Sequence, residues 1–255
     1  MERLKKRVKV ALTIVLVLMY IVTNGKDILN GIGTAYAKGD FLPQDYKKAV
    51  AWFRRAANCG SAVGQYNLAL SYDRGWGVPQ NNFEATKWYK KSARKGYASA
   101  QTNLGYAYEY GVGVELNHEL AVNWYTKAAK QEDSNGMHNL GHAYYEGKGT
   151  EQNYEEAVKW YRKAIAKGNH LAEASLGVCY EEGHGVEKDM AEAVRLYTSA
   201  AKHDIGKGQY YLGLCYKDGK YVTQNTEEAL MWLRKSAAKG HRESERLIKE
   251  LEKKD

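Results

Sequence analysis

The chain has 255 residues, of which 44% are hydrophobic and 12% aromatic, with two prolines against 25 glycines. This composition excludes a disordered linker and favours helices that end at glycines. The formal net charge of +8 is a weak argument for nucleic-acid binding, because half of it comes from a basic cluster within the first nine residues. Three cysteines, Cys59, Cys179 and Cys215, are too few for a disulfide framework, so packing must hold the fold together.

The first predicted element is an N-terminal leader. Residues 10–22 follow the basic cluster and are mostly apolar, a run that is short for a membrane span and typical of a signal-peptide core. We predict that residues 1–25 are a signal peptide or an uncleaved N-terminal membrane anchor, with residues 8–23 as the tether in the second case. The protein is accordingly expected to be exported to the periplasm, the envelope or the medium, and cleavage of the leader stays open.

The rest of the chain repeats with a period of 36 residues. A tyrosine recurs at Tyr36, Tyr72, Tyr108, Tyr144, Tyr180 and Tyr216, and a glycine at Gly39, Gly75, Gly111, Gly147, Gly183 and Gly219. An aliphatic residue keeps the same register at Ile32, Leu68, Leu104, Leu140, Leu176, Leu212 and Ile248. Six repeats without an insertion are typical of a stacked array of structural units.

Each repeat predicts two helices. In the third repeat the first helix runs from about residue 99 to residue 110 and ends at Gly111, which suits the left-handed conformation of a C-cap. The second helix begins after Asn117, whose side chain can accept a hydrogen bond from the first turn. Equivalent N-caps are Asp45, Asn81, Asn153, Asp189 and Asn225, and a glutamate three residues later completes a predicted capping box at Glu84, Glu156, Glu192 and Glu228.

The second helix of each repeat carries the predicted core. An alanine recurs at Ala49, Ala85, Ala121, Ala157, Ala193 and Ala229, and an aromatic column follows at Trp52, Trp88, Trp124, Trp160 and Trp232, with Leu196 in the fifth repeat. Small residues let helices approach while large rings fill the space beside them, so we predict that both columns are buried. Basic residues near the end of this helix, such as Lys91, Lys127 and Lys163, are interpreted as complementing the helix dipole on a solvated face.

These columns resemble the Sel-1-like repeat, a relative of the tetratricopeptide repeat. The resemblance rests on the order A-x-x-x-L-G-x-x-Y-x-x-G-x-G-V and on a capped helix with A-x-x-W-Y-x-K-A-A, and it covers about residues 30–251. Two departures, Glu132 and Asp204, replace the glycine that closes a repeat.

The stacked helix pairs and this resemblance predict an all-α fold: a right-handed α-solenoid of six 36-residue helix-turn-helix repeats plus a C-terminal capping helix. The repeat domain spans residues 26–240, and the charged segment 241–255 is the predicted cap. The repeats are expected at about 30–65, 66–101, 102–137, 138–173, 174–209 and 210–240.

The sequence predicts no catalytic residue, no cofactor and no metal. The paired glycines of each repeat follow a helix rather than a strand and lack a third glycine, so we interpret them as turns and not as a dinucleotide-binding loop. His138, His142 and Glu146 stack along one helix face but span more than one turn, which favours polar contacts over a metal site. Cys179 and Cys215 are expected to act as small apolar packing residues.

The positions that do not repeat are where a specific function could be encoded. On a helical wheel of the third repeat, Asn103, Tyr106 and Tyr110 lie opposite the packing arc. In tetratricopeptide-like solenoids the first helix lines the concave surface, and the resemblance implies the same here. The predicted partner-binding residues are Tyr66, Asn67, Leu70, Asn103, Tyr106, Tyr110, His138, Asn139, His142, Tyr145, Tyr210 and Tyr211. The asparagines among them form a ladder that could equally bond within the scaffold.

Two functions remain open at this point. The first is a non-enzymatic scaffold or adaptor that binds a protein or peptide partner, and not nucleic acid, through the concave face, since rings and amides suit peptide recognition. The alternative is an exported enzyme or a small-ligand-binding protein, related to cell-wall material, although the sequence displays no nucleophile–base pair. The partner and the oligomeric state are left open by the sequence.

Overall fold

The structure, a computed structural model, describes residues 25–40 and 42–253. The predicted leader, apart from its last residue, lies outside the described residues. Among the described helices, none is both long enough and apolar enough to cross a membrane.

Every regular element of the described residues is an α-helix. In chain order, α1 includes residues 25–38, and there follow α2 (Tyr46–Asn58), α3 (Ala62–Arg74), α4 (Asn82–Arg94), α5 (Ala98–Tyr110), α6 (His118–Lys130), α7 (Ser134–Glu146), α8 (Tyr154–Ala166), α9 (His170–Glu182), α10 (Met190–Lys202), α11 (Gly206–Asp218), α12 (Thr226–Ala238) and α13 (Arg242–Leu251). Odd-numbered helices up to α11 are the first helices of the repeats, and even-numbered helices are the second. The predicted all-α class of helical repeats, with its terminal helix α13, is confirmed.

The chain divides into two compact units, which we call the N-terminal unit (Met1–Asn117) and the C-terminal unit (His118–Asp255). In the N-terminal unit, α2 packs on α3, α3 on α4 and α4 on α5. In the C-terminal unit, each helix from α6 to α12 packs on the one that follows it. A helix pair can bury only one face within itself, so stacking on the next pair buries the rest.

The predicted N-cap bonds form at the start of α2, α4, α8, α10 and α12, but the predicted capping boxes are only half formed. Asn81 Oδ1 accepts a hydrogen bond from the Glu84 N–H at 3.0 Å, and the same bond is made by Asp45, Asn153, Asp189 and Asn225. The Asn81 N–H donates to the Tyr72 carbonyl oxygen at 2.9 Å. Glu84 therefore does not serve that N–H, and it pairs with Lys87 at 2.8 Å. The backbone of the recurring tyrosine thus ties the first helix of a repeat to the start of the second.

The paired glycines are turns, as predicted, and the second of each pair has a further reason to be glycine. Gly111 is the C-cap of α5, with a φ of 67°. At Gly113 a Cβ would lie 2.2 Å from the carbonyl oxygen of Asn82, the first residue of α4. Gly77, Gly149 and Gly185 approach the first residue of the preceding second helix in the same way. The absence of a side chain lets each loop contact the neighbouring repeat.

The buried aromatic column lies one residue beyond the predicted one. The alanine column is buried as predicted, each member being at most 2% exposed. The tryptophans, however, are only half-buried, so the prediction that they fill the core was wrong. The buried positions are Phe53, Tyr89, Tyr125, Tyr161, Tyr197 and Leu233, each at most 5% exposed.

The half-buried tryptophans lie beneath basic side chains. Lys91 Nζ is 3.9 Å from the centroid of the Trp88 ring. The same contact joins Arg55 to Trp52, Lys127 to Trp124, Lys163 to Trp160 and Lys235 to Trp232. Residues three apart on a helix are neighbours, and the negative face of an indole attracts a cation. These contacts give the basic residues a structural role, with the ring rather than the helix dipole as the observed partner.

Two repeats close with an acidic residue in place of glycine and keep the same backbone geometry. Glu132 and Asp204 have positive φ values of 63° and 62°. Each is paired with a lysine of the following repeat, Glu132 with Lys167 at 2.6 Å and Asp204 with Lys239. The left-handed conformation is unfavourable for residues with a Cβ, so these two positions carry backbone strain within an otherwise regular stack.

Candidate partner-binding surface

The N-terminal unit contains a cavity of about 280 Å³ between α3, α4 and α5. Asp73 and Arg74 line it from the end of α3, Tyr89 from α4, and Asn103 and Tyr106 from α5. Asn103 and Tyr106 are two of the residues predicted to bind a partner, and the fold brings them together here.

Tyr89, one of the residues that line the cavity, has a buried hydroxyl. Tyr89 is 4% exposed, and its hydroxyl makes no well-formed hydrogen bond, with the Asn103 side chain as its polar neighbour. Burial raises the pKa of Tyr89 above its ordinary value, so the phenol stays protonated and can donate. Buried polar groups in native proteins are normally paired, and Asn103, which also lines the cavity, is the polar neighbour of this donor.

An exposed pair of aromatic rings stands beside the cavity. Tyr106 is 51% exposed and Tyr110 is 55% exposed. They lie one turn apart on α5, with ring centroids 4.5 Å from each other. The ion pair between Arg74 and Asp73, at 3.4 Å, adds charge to the cavity lining. Large rings next to a concave site with charged groups are typical of binding surfaces.

The other predicted residues of the N-terminal unit are held within the scaffold. Tyr66, Asn67 and Leu70 are half-buried. Asn67 Nδ2 donates to Asn30 Oδ1 at 2.8 Å, which favours the scaffold interpretation of the asparagine ladder at this rung. The Tyr66 ring packs 5.0 Å from the Tyr97 ring.

In the C-terminal unit His138 is buried, although the helical wheel placed it on the open arc. Its side chain points into the protein, the residue being 8% exposed, and the ring packs 5.7 Å from that of Tyr161. Nδ1 lies 3.1 Å from Asn139 Oδ1, and Nε2 lies 3.1 Å from Ser175 Oγ. Burial lowers the pKa of His138 to about 4, so the ring is neutral at physiological pH. The helical wheel placed His138 on the open arc, but the adjacent α9 covers it.

The remaining predicted residues of this unit are half-buried members of ring clusters. The Tyr145 hydroxyl is 3.0 Å from His184 Nδ1. Tyr210 stacks on His241 with centroids 4.3 Å apart, and Tyr211 stacks on Tyr197 at 4.8 Å. Asn139 is bonded to His138, and His142 lies 6.5 Å from the same ring, centroid to centroid. These side chains have structural partners in addition to any contact they make with a ligand.

One nucleophile–base pair, which the sequence could not reveal, is brought together by the fold. Ser175 and His138 are 37 positions apart in the chain and make the contact described above, and Lys207 Nζ lies 3.3 Å from the same Ser175 oxygen. Ser175 is only 3% exposed. A substrate must reach the nucleophile, so the burial of this hydroxyl argues for a structural hydrogen-bond network.

The two buried cysteines are packing residues, as predicted. Cys179 and Cys215 are unpaired and at most 2% exposed. Burial raises the pKa of the Cys179 thiol to about 12 and that of the Cys215 thiol to about 11. Neither thiol is therefore an activated nucleophile.

The stacked helix pairs define the class of this protein, a tetratricopeptide-like helical-repeat protein. A family model described as the Sel1 repeat matches residues 29–61, 62–97, 98–133, 134–169, 170–204 and 206–241. The chain belongs to the Sel1 repeat family, as the resemblance implied, and such proteins are generally scaffolds for protein–protein interaction.

Solved structures of similar fold come from several bacteria. A Sel1 repeat protein from Oxalobacter formigenes is 32% identical, with a TM-score of 0.78 over 83% of this chain and 84% of its own. A protective antigen of uropathogenic Escherichia coli that displays this fold is also 32% identical, with a TM-score of 0.69 over 91% of this chain, which spans 50% of the antigen. An immunity protein from Pseudomonas aeruginosa is 20% identical, with a TM-score of 0.55 over 84% of this chain and 81% of its own, and shares the fold. No match was found among curated proteins.

Proposed function

We propose that this protein is a non-enzymatic scaffold that binds a peptide segment of a partner protein over Tyr106 and Tyr110. The observation that carries the proposal is the position of two exposed rings on α5 beside the cavity lined by Asn103 and Tyr89. Rings supply contact area at low entropic cost, and the Asn103 amide can bond to a peptide backbone. In the wider form of the proposal, the first helices of the other repeats also present partner-binding residues.

The repeat pattern supports the same assignment. The column of Tyr106 holds Thr34, Leu70, His142, Val178 and Leu214, and the column of Tyr110 holds Lys38, Arg74, Glu146, Glu182 and Asp218. Stacking needs the same residue type in every repeat, so these two tyrosines are not explained by the stack. Their exposure leaves a binding role as the simplest account of two adjacent large rings.

The experiment is selection of a random peptide library on the immobilised full chain, followed by measurement of the selected peptides on variants. We expect the double variant Tyr106→Ala/Tyr110→Ala to lose at least about tenfold in affinity, which corresponds to about 1.4 kcal/mol. Tyr221→Ala is the matched control, because Tyr221 is also an exposed tyrosine, at 68%. Equal affinity of the selected peptides for the double variant and the wild type would contradict the proposal.

A small-ligand function is the second candidate, and the cavity itself favours it. Its volume of about 280 Å³ is near the lower end of small-molecule sites, which begin at roughly 300 Å³. The ligand class considered is cell-wall fragments, tested in a thermal-shift screen of the full chain. Stabilisation that disappears in Asn103→Ala and persists in Tyr110→Ala would favour the cavity over the ring surface.

Export completes the proposal. The basic cluster and the apolar residues 10–22 support a signal peptide or a membrane tether. N-terminal sequencing of the protein recovered from the envelope and the medium distinguishes the two, and recovery of the intact protein from the cytoplasm alone would contradict export.

A further inference from the structure

Three side chains with metal-binding chemistry meet in the C-terminal unit, and none of them is among the predicted partner-binding residues. His170 is the first residue of α9, Glu173 follows one turn later, and His203 is the C-cap of α10. One donor atom from each residue lies within 4.8 Å of the other two. The start of α9 and the end of α10 thus bring two imidazoles and one carboxylate together.

Glu173 departs from the pattern of the scaffold. At the equivalent position, Gln65, Gln101 and Gln209 donate Nε2 to the carbonyl oxygens of Ala57, Ala93 and Ala201. A carboxylate has no N–H and cannot make this bond. Glu173 is 9% exposed, and its Oε2 is buried without a hydrogen-bond partner. Gln65 and Gln209 also bury one unpaired Oε1, but a carboxylate oxygen carries charge and costs more to bury than an amide oxygen, so a cation at this position would remove a larger penalty.

The spacing between Glu173 and His170 fits two ligands of one ion. His170 Nδ1 lies 3.3 Å from Glu173 Oε2, and both atoms are buried without a hydrogen-bond partner. Two ligands of a tetrahedral zinc ion, each at about 2.0–2.1 Å, are about 3.3–3.4 Å apart. The pair is therefore spaced as it would be around zinc.

His203 supplies a third donor in the form that metal sites require. Its Nδ1 is 2.9 Å from the Ser199 carbonyl oxygen, so Nδ1 carries the proton and Nε2 keeps its lone pair. A ligating histidine usually donates its other N–H to such an acceptor. The His203 ring stacks on the His170 ring with centroids 3.5 Å apart. Parallel rings do not direct their in-plane lone pairs at one ion, so binding requires the exposed His203 side chain to turn out of this stack and present a ring nitrogen to an ion held by the other two residues.

We propose that His170, Glu173 and His203 bind a divalent transition-metal ion, with zinc as the best match. Two imidazoles and a carboxylate are the ligands of many zinc sites, whereas magnesium and calcium prefer oxygen ligands alone. Three protein ligands leave a fourth tetrahedral position for water or for a donor from a partner. The equivalent residues of the preceding repeat, Ser134, Met137 and Lys167, do not provide this set of ligands, so the site is a property of one repeat rather than of the scaffold.

The test is isothermal titration of zinc chloride into the metal-free full chain. We expect one equivalent to bind saturably, and His203→Ala and Glu173→Gln each to weaken binding by more than about tenfold. His203 is exposed and lies outside both helices, so its replacement leaves the fold intact, which circular dichroism checks. The matched control is His142→Ala, which removes a half-buried histidine from the other histidine pair and should bind zinc like the wild type.

Two results would overturn the proposal. The absence of saturable binding by the wild type would leave His170 and Glu173 as an ordinary ion pair. Loss of binding in His142→Ala with retention in His203→Ala would move the metal to His138, His142 and Glu146.

Discussion

The contact between Gly113 and the neighbouring repeat makes a quantitative prediction for Gly113→Ala. Gly96 provides the control, because both glycines have positive φ values, 69° for Gly113 and 88° for Gly96. A Cβ on Gly96 would have no heavy atom within 4 Å, apart from its own neighbours in the chain. A Cβ on Gly113 would lie 2.2 Å from the Asn82 oxygen and 2.5 Å from its carbonyl carbon. The two substitutions therefore share a backbone penalty and differ in the steric clash.

The magnitude follows from these two terms. An L-residue in the left-handed region costs about 1–2 kcal/mol, and the gain from a less flexible unfolded chain, about 0.4–1 kcal/mol, applies to both variants. Gly96→Ala should therefore lower the free energy of unfolding by about 1 kcal/mol. The clash at Gly113 is with backbone, which cannot turn away as a side chain can, and overpacking of this kind costs about 1–3 kcal/mol more. We expect Gly113→Ala to be less stable than Gly96→Ala by about 2 kcal/mol.

Urea denaturation of both variants, followed by circular dichroism, measures this difference. An unchanged dependence on urea concentration would show that the unfolding transition exposes the same surface, so that the midpoints can be compared. A difference of less than about 0.5 kcal/mol between the free energies of unfolding of the two variants would contradict this reasoning. It would mean that the contact between the loop and α4 does not constrain Gly113.

The remaining predictions concern pH and a strained loop. The folded-state pKa of His138, about 4, lies below its ordinary value of 6.5. The unfolded chain therefore binds the proton first as the pH falls, and the free energy of unfolding decreases through this range. About 2 kcal/mol should be lost between about pH 7 and about pH 5. His138→Gln should lack this part of the pH dependence in urea denaturation, and an identical dependence would contradict a buried neutral ring. Tyr221 has a φ of 57° and is highly exposed, so Tyr221→Gly should stabilise the protein by about 1 kcal/mol in thermal melts. A lower melting temperature would show that the Tyr221 side chain contributes more than its backbone strain costs.

The repeat architecture could be predicted because it is encoded in local and periodic signals. N-cap side chains, C-cap glycines and buried alanines recur at 36-residue spacing, and each acts within one helix or between adjacent helices. These signals do not show whether Trp88 or Tyr89 is buried, because both rings recur in the repeat. Neighbouring positions on a helix differ by a rotation of about 100°, so the orientation of the helix decides between the two. In the structure Tyr89 is the buried ring, and Trp88 lies half-buried beneath Lys91.

The candidate sites depended on contacts that a single repeat does not show. Tyr106 and Tyr110 were found as departures from the period, and their exposure agrees with the helical wheel. His138 was placed on the same open arc, but the wheel of one helix cannot represent the helix that packs over it. The grouping of His170 with His203 spans 33 positions and two helices. Its one signal in the sequence was Glu173 in a column that holds Gln65, Gln101, Met137 and Gln209, and that signal has meaning only when the bond made by the glutamines is known.

The tryptophan column also determines what intrinsic fluorescence can report. Five of the six tryptophans of the chain lie half-buried beneath a cation at equivalent positions in different repeats. The sixth, Trp76, is 44% exposed and stacks on Tyr46. These five tryptophans have nearly identical environments and are distributed over both units. Their combined emission therefore follows the folded fraction of the whole array, and it does not distinguish which repeat unfolds first. In the one repeat that lacks this tryptophan, Leu196 is buried and Ser199 stands where the other repeats have the cation, so Leu196→Trp would report on that repeat from a different environment.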